Sequence, residues 1–367
     1  MDTSSYEFES LEKKYNGFLA PGAEISVGGT KMDAAKIPIS EVSVTIDAGA
    51  SAGGATVSIG GMYDAEKSQW RDKLLDGVKI GAKLMISLGY TSRKQVFHGF
   101  VDDFTVSYTP DQVSISITGI DAKAFLMNAD ETKYFSKEKT RDIIQEMLGE
   151  CTNSGYAAKI DLAPPTDFTN FNVQLIQSKA NDYKILCALA EMNNMNFFVL
   201  NGEIIFKKVV NKTSPIMTLT LGSSLISFTR TLSLRNQVGK IVVQSHDKDG
   251  KPIEGSANST TLGSGKEASS FVSSLKKKIR EVPADFATTP EECASLAQNL
   301  FDVQAMDFVR GSGRCIGLPE LIPGRYIRLK GMDDDSNASY FITKVKHTVS
   351  SGGGYFTDFD VNGAKMG

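Results

Sequence analysis

The sequence has little of the chemistry from which metal sites and disulfide frameworks are built. Its 367 residues include four cysteines and three histidines. The cysteines, none in CxxC spacing, are Cys151, Cys187, Cys293 and Cys315. This scatter does not predict a zinc site. Without an export signal, the cysteines are typical of free thiols in a reducing cytoplasm, where we expect the chain to be made.

Long apolar runs and an excess of one charge are also missing. No stretch approaches the roughly 18 apolar residues of a membrane span, and residues 1–18 lack the charged and apolar regions of a signal peptide. Lys and Arg number 40 against 43 Asp and Glu, a net charge of −3. This balance argues against sequence-specific binding of nucleic acid. The length favours two to three domains.

The motifs of common catalytic sites are absent as well. Gly311 and Gly313 followed by Gly317 do not make a dinucleotide-binding loop, and Gly265-Lys266 lacks the spacing of a phosphate-binding loop. No GxSxG nucleophile elbow occurs. The sequence therefore predicts no enzyme activity, no catalytic, cofactor-binding or metal-binding residues, and no cofactor.

Two histidines lie within strand patterns. His347 shares a strand face with Phe341, Val345 and Val349, where a lone histidine is most often a core or interface residue. We expect His98, before Gly99, to occupy the corresponding place in the first β-region.

Three clusters of charge invite a functional interpretation. Asp102-Asp103 and the loop Asp333–Asp335 could suggest an acid/base pair or a metal. Neither has a histidine or second carboxylate at a helpful spacing, and we interpret the second as a solvated hairpin tip. The run Lys276–Lys278 with Arg280 favours a solvated face or an acidic protein partner over nucleic acid in a channel.

The region from residue 20 to 119 has an apolar period of two, which is typical of half-buried strands. Its apolar residues alternate with hydroxyls on the other face, as in Ser43, Thr45, Ser114, Ser116 and Thr118. We predict an antiparallel β-barrel here, with a short helical stretch near residues 63–75.

The period then changes to that of helices. Ser136 can cap a helix ending at Gly149, and a second helix is predicted over 181–193. Asn201-Gly202 between apolar runs predicts a β-hairpin. Residues 128–220 therefore form a small α+β module in this interpretation.

The third part mixes strands with an insertion. Strands are predicted over 224–243, followed by a mobile polar loop over 246–265. One helix is predicted from the spacing of Phe271, Leu275 and Ile279, and another from the capping box that opens at Thr289-Pro290. Strands return from 310 to 363.

Two segments look alike across the chain. Residues 81–119 and 324–363 each contain a glycine-opened strand, a strand across a loop, and a closing strand that ends in glycine. Any two antiparallel meanders share such alternation. The sharper interpretation is an internal duplication. Three copies of a chain with two related barrels would then present six similar units to a six-fold partner, and three-fold symmetry elsewhere.

The predicted fold is mainly β with an α+β insert. Two related antiparallel β-barrel domains are separated by the small α+β module, and the second barrel carries a helical insertion. The predicted boundaries are an N-terminal arm (1–19), the first barrel (20–127), the α+β module (128–220), the second barrel (221–250 and 305–363) and the loop and helical insertion (251–304).

Three motifs, in this order, resemble the hub proteins of contractile injection systems: the phage late control D (tail hub) family and the hub part of VgrG-type spikes. The motifs are the central module with residues 177–186, 189–191 and 201–206, the second-barrel entry at 317–324, and the strand at 340–349 that ends near His347. The resemblance covers most of residues 20–363, and the order of elements carries it more than any single motif.

The resemblance implies a structural baseplate hub of a phage-tail-like particle. It implies a homotrimeric adaptor between a hexameric tail tube and a trimeric spike, with baseplate wedge proteins and a tape measure protein as further partners. The chain ends after the predicted second barrel, so we expect the spike to be a separate polypeptide. Two rival hypotheses remain open: a tail-associated cell-wall hydrolase and a carbohydrate-binding β-sandwich adhesin.

Overall fold

Alternating apolar residues form strands through most of the chain, as a computed structural model of the protein shows. The structure describes residues 4–32, 37–49, 51–71, 78–135, 139–168 and 176–366. Strands outweigh helices, so the predicted mainly β fold with an α+β insert is confirmed.

The strands of the first half of the chain are β1 (Gly22–Val27), β2 (Thr30–Lys31), β3 (Ile39–Asp47), β4 (Gly54–Gly60), β5 (Tyr63–Asp64), β6 (Gln69–Trp70), β7 (Lys83–Gly89), β8 (Arg93–Tyr108), β9 (Val113–Ile120), β10 (Glu131–Tyr134), β11 (Lys159–Leu162) and β12 (Ile176–Ala180). Those of the second half are β13 (Asn196–Leu200), β14 (Glu203–Lys207), β15 (Pro215–Thr220), β16 (Leu225–Leu232), β17 (Lys240–His246), β18 (Pro252–Ala257), β19 (Ile279–Pro283), β20 (Val309–Ile316), β21 (Tyr326–Lys330), β22 (Ser339–Ser350) and β23 (Gly354–Gly363). The helices are α1 (Phe8–Lys14), α2 (Lys123–Met127), α3 (Thr140–Asn153), α4 (Asp182–Met192), α5 (Ala268–Phe271) and α6 (Pro290–Ala305).

One large sheet joins the N-terminal and C-terminal strand regions. Its order is β16-β20-β23-β22-β3-β4-β9-β8-β7-β1-β2, and β21 and β15 branch from β22. We expected two closed barrels, but the strands in the described ranges close none. Instead, β3 of the N-terminal region pairs directly with β22 of the C-terminal region, so both regions share an open sheet.

The two halves of this sheet repeat the same strand order. The first unit is defined here as β3-β4-β9-β8-β7-β1, and the second unit as β16-β20-β23-β22-β21-β15. Position by position, β3 corresponds to β16, β4 to β20, β9 to β23, β8 to β22 and β7 to β21. The outermost pair differs, because β1 is antiparallel to β7 whereas β15 is parallel to β21.

A β-bulge fixes the correspondence between the units. The pairing of β8 with β9 skips Asp102, and that of β22 with β23 skips Thr343, at the same point along each long strand. A bulge adds one residue to one strand and shifts the pairing register of the residues that follow. When the bulges are aligned, Gly119 corresponds to Val361. Matching the glycines that end the two segments, Gly119 and Gly363, is therefore wrong by two residues, because β23 is longer than β9.

The α+β module has its own core and sheet. Strands β11, β14 and β13 form the sheet, and α3 and α4 bury their apolar sides in a separate cluster. The predicted helix over 181–193 is confirmed, with the Asn181 side chain accepting a hydrogen bond from the Lys184 N–H. The predicted hairpin is also confirmed, since Asn201 and Gly202 both adopt positive φ.

The helix predicted to end at Gly149 continues to Asn153. Its last turn buries Cys151, and this packing outweighs the low helix propensity of glycine. The proposed cap at Ser136 lies outside the described residues.

Replacing Gly149 by alanine should stabilise the protein. The new methyl group would meet no atom within 4 Å, and alanine is favoured over glycine inside a helix by about 1 kcal/mol. Urea unfolding of Gly149→Ala should therefore show a gain of about that size. Gly155, which has φ +77 after the helix, provides the contrast, because Gly155→Ala should lose stability. A gain at both positions would contradict the assigned backbone.

The insertion between β16 and β20 is larger than predicted. Strand β17, which we placed in the second barrel, pairs with β18 and β19 in a separate sheet, against which α6 packs. Strand β18 occupies part of the predicted mobile loop. The capping box of α6 at Thr289 is confirmed.

Two predicted helices are wrong. Phe271, Leu275 and Ile279 do not share a helix face, because α5 is one turn, a 3-10 turn follows at Ser273–Lys277, and Ile279 opens β19. Pairing with β17 captures this β-branched segment. Residues 63–70 form the hairpin β5–β6, in which Tyr63 packs on Trp70. Residues 72–77 lie outside the described residues.

Candidate assembly surfaces

The junction between the two units is an antiparallel pairing of β3 with β22. On the side facing the core, Val44 lies opposite His347 and Ile46 opposite Val345, and all four side chains are buried. On the other side, Thr45 lies opposite Lys346. The junction therefore has one apolar face and one polar face. It shows, within one chain, how an edge of the first unit pairs with an edge of the second.

His347 is fully buried at this junction. Its Nδ1 lies 3.1 Å from the Thr357 hydroxyl and 3.0 Å from the Tyr355 hydroxyl. Burial disfavours the charged imidazolium and lowers the pKa of His347 to about 3. The predicted apolar strand face is present, and His347 is a neutral residue of the unit–unit junction.

The low pKa of His347 predicts a pH-dependent stability. The unfolded chain binds a proton near pH 6.5 while the folded chain does not, so stability is complete above pH 6.5 and falls as the pH drops towards 3. The expected loss is about 1.4 kcal/mol per pH unit in that window. Urea unfolding of the wild type and of His347→Gln, at one protein concentration from pH 7.5 to 4.5, measures the difference. Equal slopes for the two proteins would refute this assignment.

His98 does not occupy the place that corresponds to His347. Aligned on the bulges, Val106 corresponds to His347, and His98 corresponds to Ser339. His98 instead lies against the hairpin turn of the α+β module, where a methyl group on Gly202 would come within 2.7 Å of its Nδ1. Burial lowers the pKa of His98. The two histidines therefore have different structural roles.

The N-terminal arm is attached to the second unit by a buried carboxylate. The Tyr15 hydroxyl donates a 2.6 Å hydrogen bond to Glu320 Oε1, and Lys14 Nζ lies 2.7 Å from the same oxygen. Burial, followed by the hydrogen bond to Glu320, raises the pKa of the Tyr15 hydroxyl. The Tyr15 ring also packs against Tyr90, which follows β7 of the first unit, with the ring centroids 5.3 Å apart. Tyr90 in turn donates to the Gly317 carbonyl. The arm thus connects both units.

A buried lysine organises the loop that follows β3. Lys123 Nζ donates to the carbonyl oxygens of Asp47, Gly49 and Ser51 at 3.2, 2.9 and 2.7 Å. Asp121 accepts from the backbone N–H groups of Gly53 and Lys123. Burial raises the pKa of Asp121 to about 6 and lowers that of Lys123. These contacts hold the end of β3, next to the junction.

The charged clusters do not converge on a site. Asp102 and Asp103 are exposed at the bulge of β8. Asp333 accepts hydrogen bonds from Ser336 in the loop between β21 and β22. Lys276–Lys278 are exposed, and Arg280 donates to Gln304. Within the described ranges, no group of three His, Cys, Asp or Glu side chains is placed to hold a metal ion, and no helix is long and apolar enough to cross a membrane.

The hydroxyl side chains predicted from the alternation line one face of the first unit. Cross-strand pairs place Ser43 opposite Thr56, Thr56 opposite Thr118, and Ser58 opposite Ser116. These side chains are half-buried. The opposite face packs on the main core. The sheet therefore has one apolar face in the core and one hydroxyl-rich face that is partly exposed.

Two stretches of the large sheet correspond to the strands of the junction and, within the described ranges, have a strand on one side only. Strand β16 pairs with β20 on one side, and among the described strands none lies on its other side. The second half of β8, residues 103–108, pairs with β9 and likewise has no second partner among the described strands. Apolar side chains are exposed at both edges: Tyr108 is 62% exposed and Leu232 is 43% exposed. These two edges are the candidate assembly surfaces.

A known protein family matches nearly all of the residues that form this sheet. The profile of the family described as the Alg8 N-terminal domain matches residues 22–351. The chain belongs to this family. The match includes both units, the α+β module and the insertion, apart from the last strand. No curated protein sequence matches the chain.

Solved structures share the fold at low sequence identity. The 43 kDa tail protein of prophage MuSo2 from Shewanella oneidensis has a TM-score of 0.68 and 16% identity, over 93% of this chain and 98% of the other. A tail protein from Neisseria meningitidis MC58 has a TM-score of 0.67 and 10% identity, over 94% and 96%. A component of the type VI secretion system of E. coli has a TM-score of 0.57 and 11% identity, over 92% and 76%. The predicted resemblance in fold to tail hub and VgrG-type proteins is thus confirmed.

The sequence offered no signal for several of these residues. Lys123 and Glu320 are ordinary charged residues in the sequence. Only the fold brings three carbonyl oxygens to Lys123 and the N-terminal arm to Glu320. Tyr108 could have been noticed, since it is a large aromatic at the end of a strand that precedes the turn Thr109-Pro110.

Proposed function

We propose that this protein is a structural hub of a contractile tail-like particle. It forms a homotrimer of pseudo-six-fold symmetry that joins a hexameric tail tube to a trimeric spike. The observation that carries the proposal is the repeated strand order of the two units within one sheet. A chain that carries one structural unit twice lets three copies match a six-fold ring on one side and a three-fold object on the other.

The strand count gives the size of such a ring. The path from β16 to β8 contains eight strands, so three copies would contribute 24. At a spacing of about 4.8 Å between strands, the circumference is about 115 Å and the diameter about 37 Å before strand tilt widens it. A ring of that size has no room inside for three helical modules. The hydroxyl-rich face therefore lines the passage, and the modules lie outside.

The partners follow from this placement. A tail tube ring lies on one side of the hub and the spike on the other, with baseplate wedge proteins around it and a tape measure protein reaching the passage. Fold likeness to tail proteins and to a type VI secretion component supports this environment. The protein would be made in the cytoplasm and act within the assembled particle. A structural role also accounts for the dispersed carboxylates.

Light scattering after size exclusion tests the proposal. A trimer of the 39.7 kDa chain has a mass of about 119 kDa, and we expect that mass over a wide concentration range. Incubation with peptidoglycan addresses the hydrolase hypothesis, and we expect no loss of turbidity. A stable monomer, or hydrolysis by the purified protein, would overturn the proposal.

A further inference from the structure

The junction between the two units supplies a template for a second junction between chains. Inside the chain, β3 of the first unit pairs with residues 344–350 of β22. Each strand of this junction has a counterpart in the other unit. Strand β16 of the second unit corresponds to β3, and residues 103–109 of the first unit correspond to 344–350 when the bulges are aligned. The first is the free edge of β16, and the second is the free edge of β8, residues 103–108, extended by Thr109.

We propose that β16 of one copy pairs antiparallel with residues 103–109 of the next copy, in the register of the β3–β22 junction. The inference rests on the proposed trimer and specifies the surface that builds it. Transferring the internal register gives five central pairs. They are Phe104 with Leu232, Thr105 with Thr231, Val106 with Arg230, Ser107 with Thr229, and Tyr108 with Phe228.

The chemistry of the two edges agrees with this register. Phe104, Val106 and Tyr108 point to the side that faces the core in the template, and there they meet Leu232, Arg230 and Phe228. On the other side, threonine and serine hydroxyls face each other, as Ser43 and Thr348 do in the template. A slip of one residue would bring apolar side chains against the hydroxyl face.

The exposure of the edge residues shows what pairing would remove from water. In the template, Ile46 is 3% exposed and Val349 is 8% exposed. Their counterparts at the free edges are Leu232, 43% exposed, and Tyr108, 62% exposed. A long edge with apolar side chains and unpaired backbone groups favours pairing with another strand. The second copy is the partner whose edge matches it residue by residue.

Paired cysteines on the hydroxyl face test the register. In a Cys187→Ala background, Thr105→Cys with Thr231→Cys places two thiols at directly opposed positions, within the roughly 7 Å between Cα atoms that a disulfide needs. The matched control is Thr105→Cys with Ser227→Cys, four residues out of register and about 13 Å farther along the strand. All three positions are exposed, so both variants should fold.

After mild oxidation, non-reducing gels of the in-register variant should show covalent dimers and trimers as the major species, and the control should remain monomeric. A mixture of the two single variants should give dimers without covalent trimers, because each copy then carries one introduced cysteine and can be cross-linked to only one neighbour. A particle of about 119 kDa in which the in-register pair does not cross-link, or in which the control cross-links equally, would overturn this register while leaving the trimer intact. A monomeric mass would overturn both the register and the proposed hub.

Discussion

Tyr108→Lys should convert the trimer to monomers. The substitution places a positive charge where the proposed junction buries Tyr108 against Phe228 of the next copy, and Arg230 lies on the same face one pair along. A buried charge beside a like charge opposes association. A loss of about 2 kcal/mol at each of three junctions amounts to about 6 kcal/mol, or roughly four orders of magnitude in the trimerisation constant. Sedimentation velocity over a dilution series measures this constant.

The matched control for this variant is Tyr134→Lys. Tyr134 is 69% exposed, comparable to Tyr108, and lies on β10 of the α+β module, away from both free edges. The control should keep the mass and the trimerisation constant of the wild type. Circular dichroism should show both variants folded, since both side chains are mostly exposed, although Tyr108 also loses its edge-on ring contact with Tyr63. Dissociation of both variants, or of neither, would contradict the assignment of the junction.

Lys123→Met should cause a large loss of stability within the chain. The substitution leaves the carbonyl oxygens of Asp47, Gly49 and Ser51 without their common donor. It also leaves the buried Asp121 carboxylate without a nearby cation. Removing one member of such a buried set costs about 3–5 kcal/mol. Urea unfolding at a fixed protein concentration measures the free energy of unfolding of the variant.

The double variant Asp121→Asn with Lys123→Met separates the buried charge from the lost hydrogen bonds. Burial opposes both charges, as the raised pKa of Asp121 and the lowered pKa of Lys123 indicate. Removing both charges should therefore cost less than Lys123→Met alone, although the three carbonyls stay without their donor. If the double variant is less stable than Lys123→Met by the full cost of Asp121→Asn, the two groups do not interact.

Local signals in the sequence predicted the local elements well. The capping box at Thr289 and the Asn201-Gly202 turn each specify a short-range geometry, and the structure has both. Helix α6 buries Ala297, Leu300 and Phe301, which have the spacing of one helix face. Such features depend on residues a few positions apart, so the sequence alone can indicate them.

The errors came from contacts between distant parts of the chain. Ile279 has the spacing of a helix face, but β17 pairs with it as a strand. The alternation in β3 predicted a strand without indicating that its partner is β22, roughly 300 residues later. The same limit applies to the candidate surfaces, because whether the edge at Tyr108 is free depends on where every other strand pairs.

The central claim is that three copies of two related units imitate six, and the outline of the particle tests it most directly. Electron microscopy of the purified protein should give class averages of a ring with six similar lobes around an open centre. The account predicts a central passage of at least about 37 Å between backbones, from 24 strands. A three-lobed particle without an opening, or a single 39.7 kDa body, would contradict it.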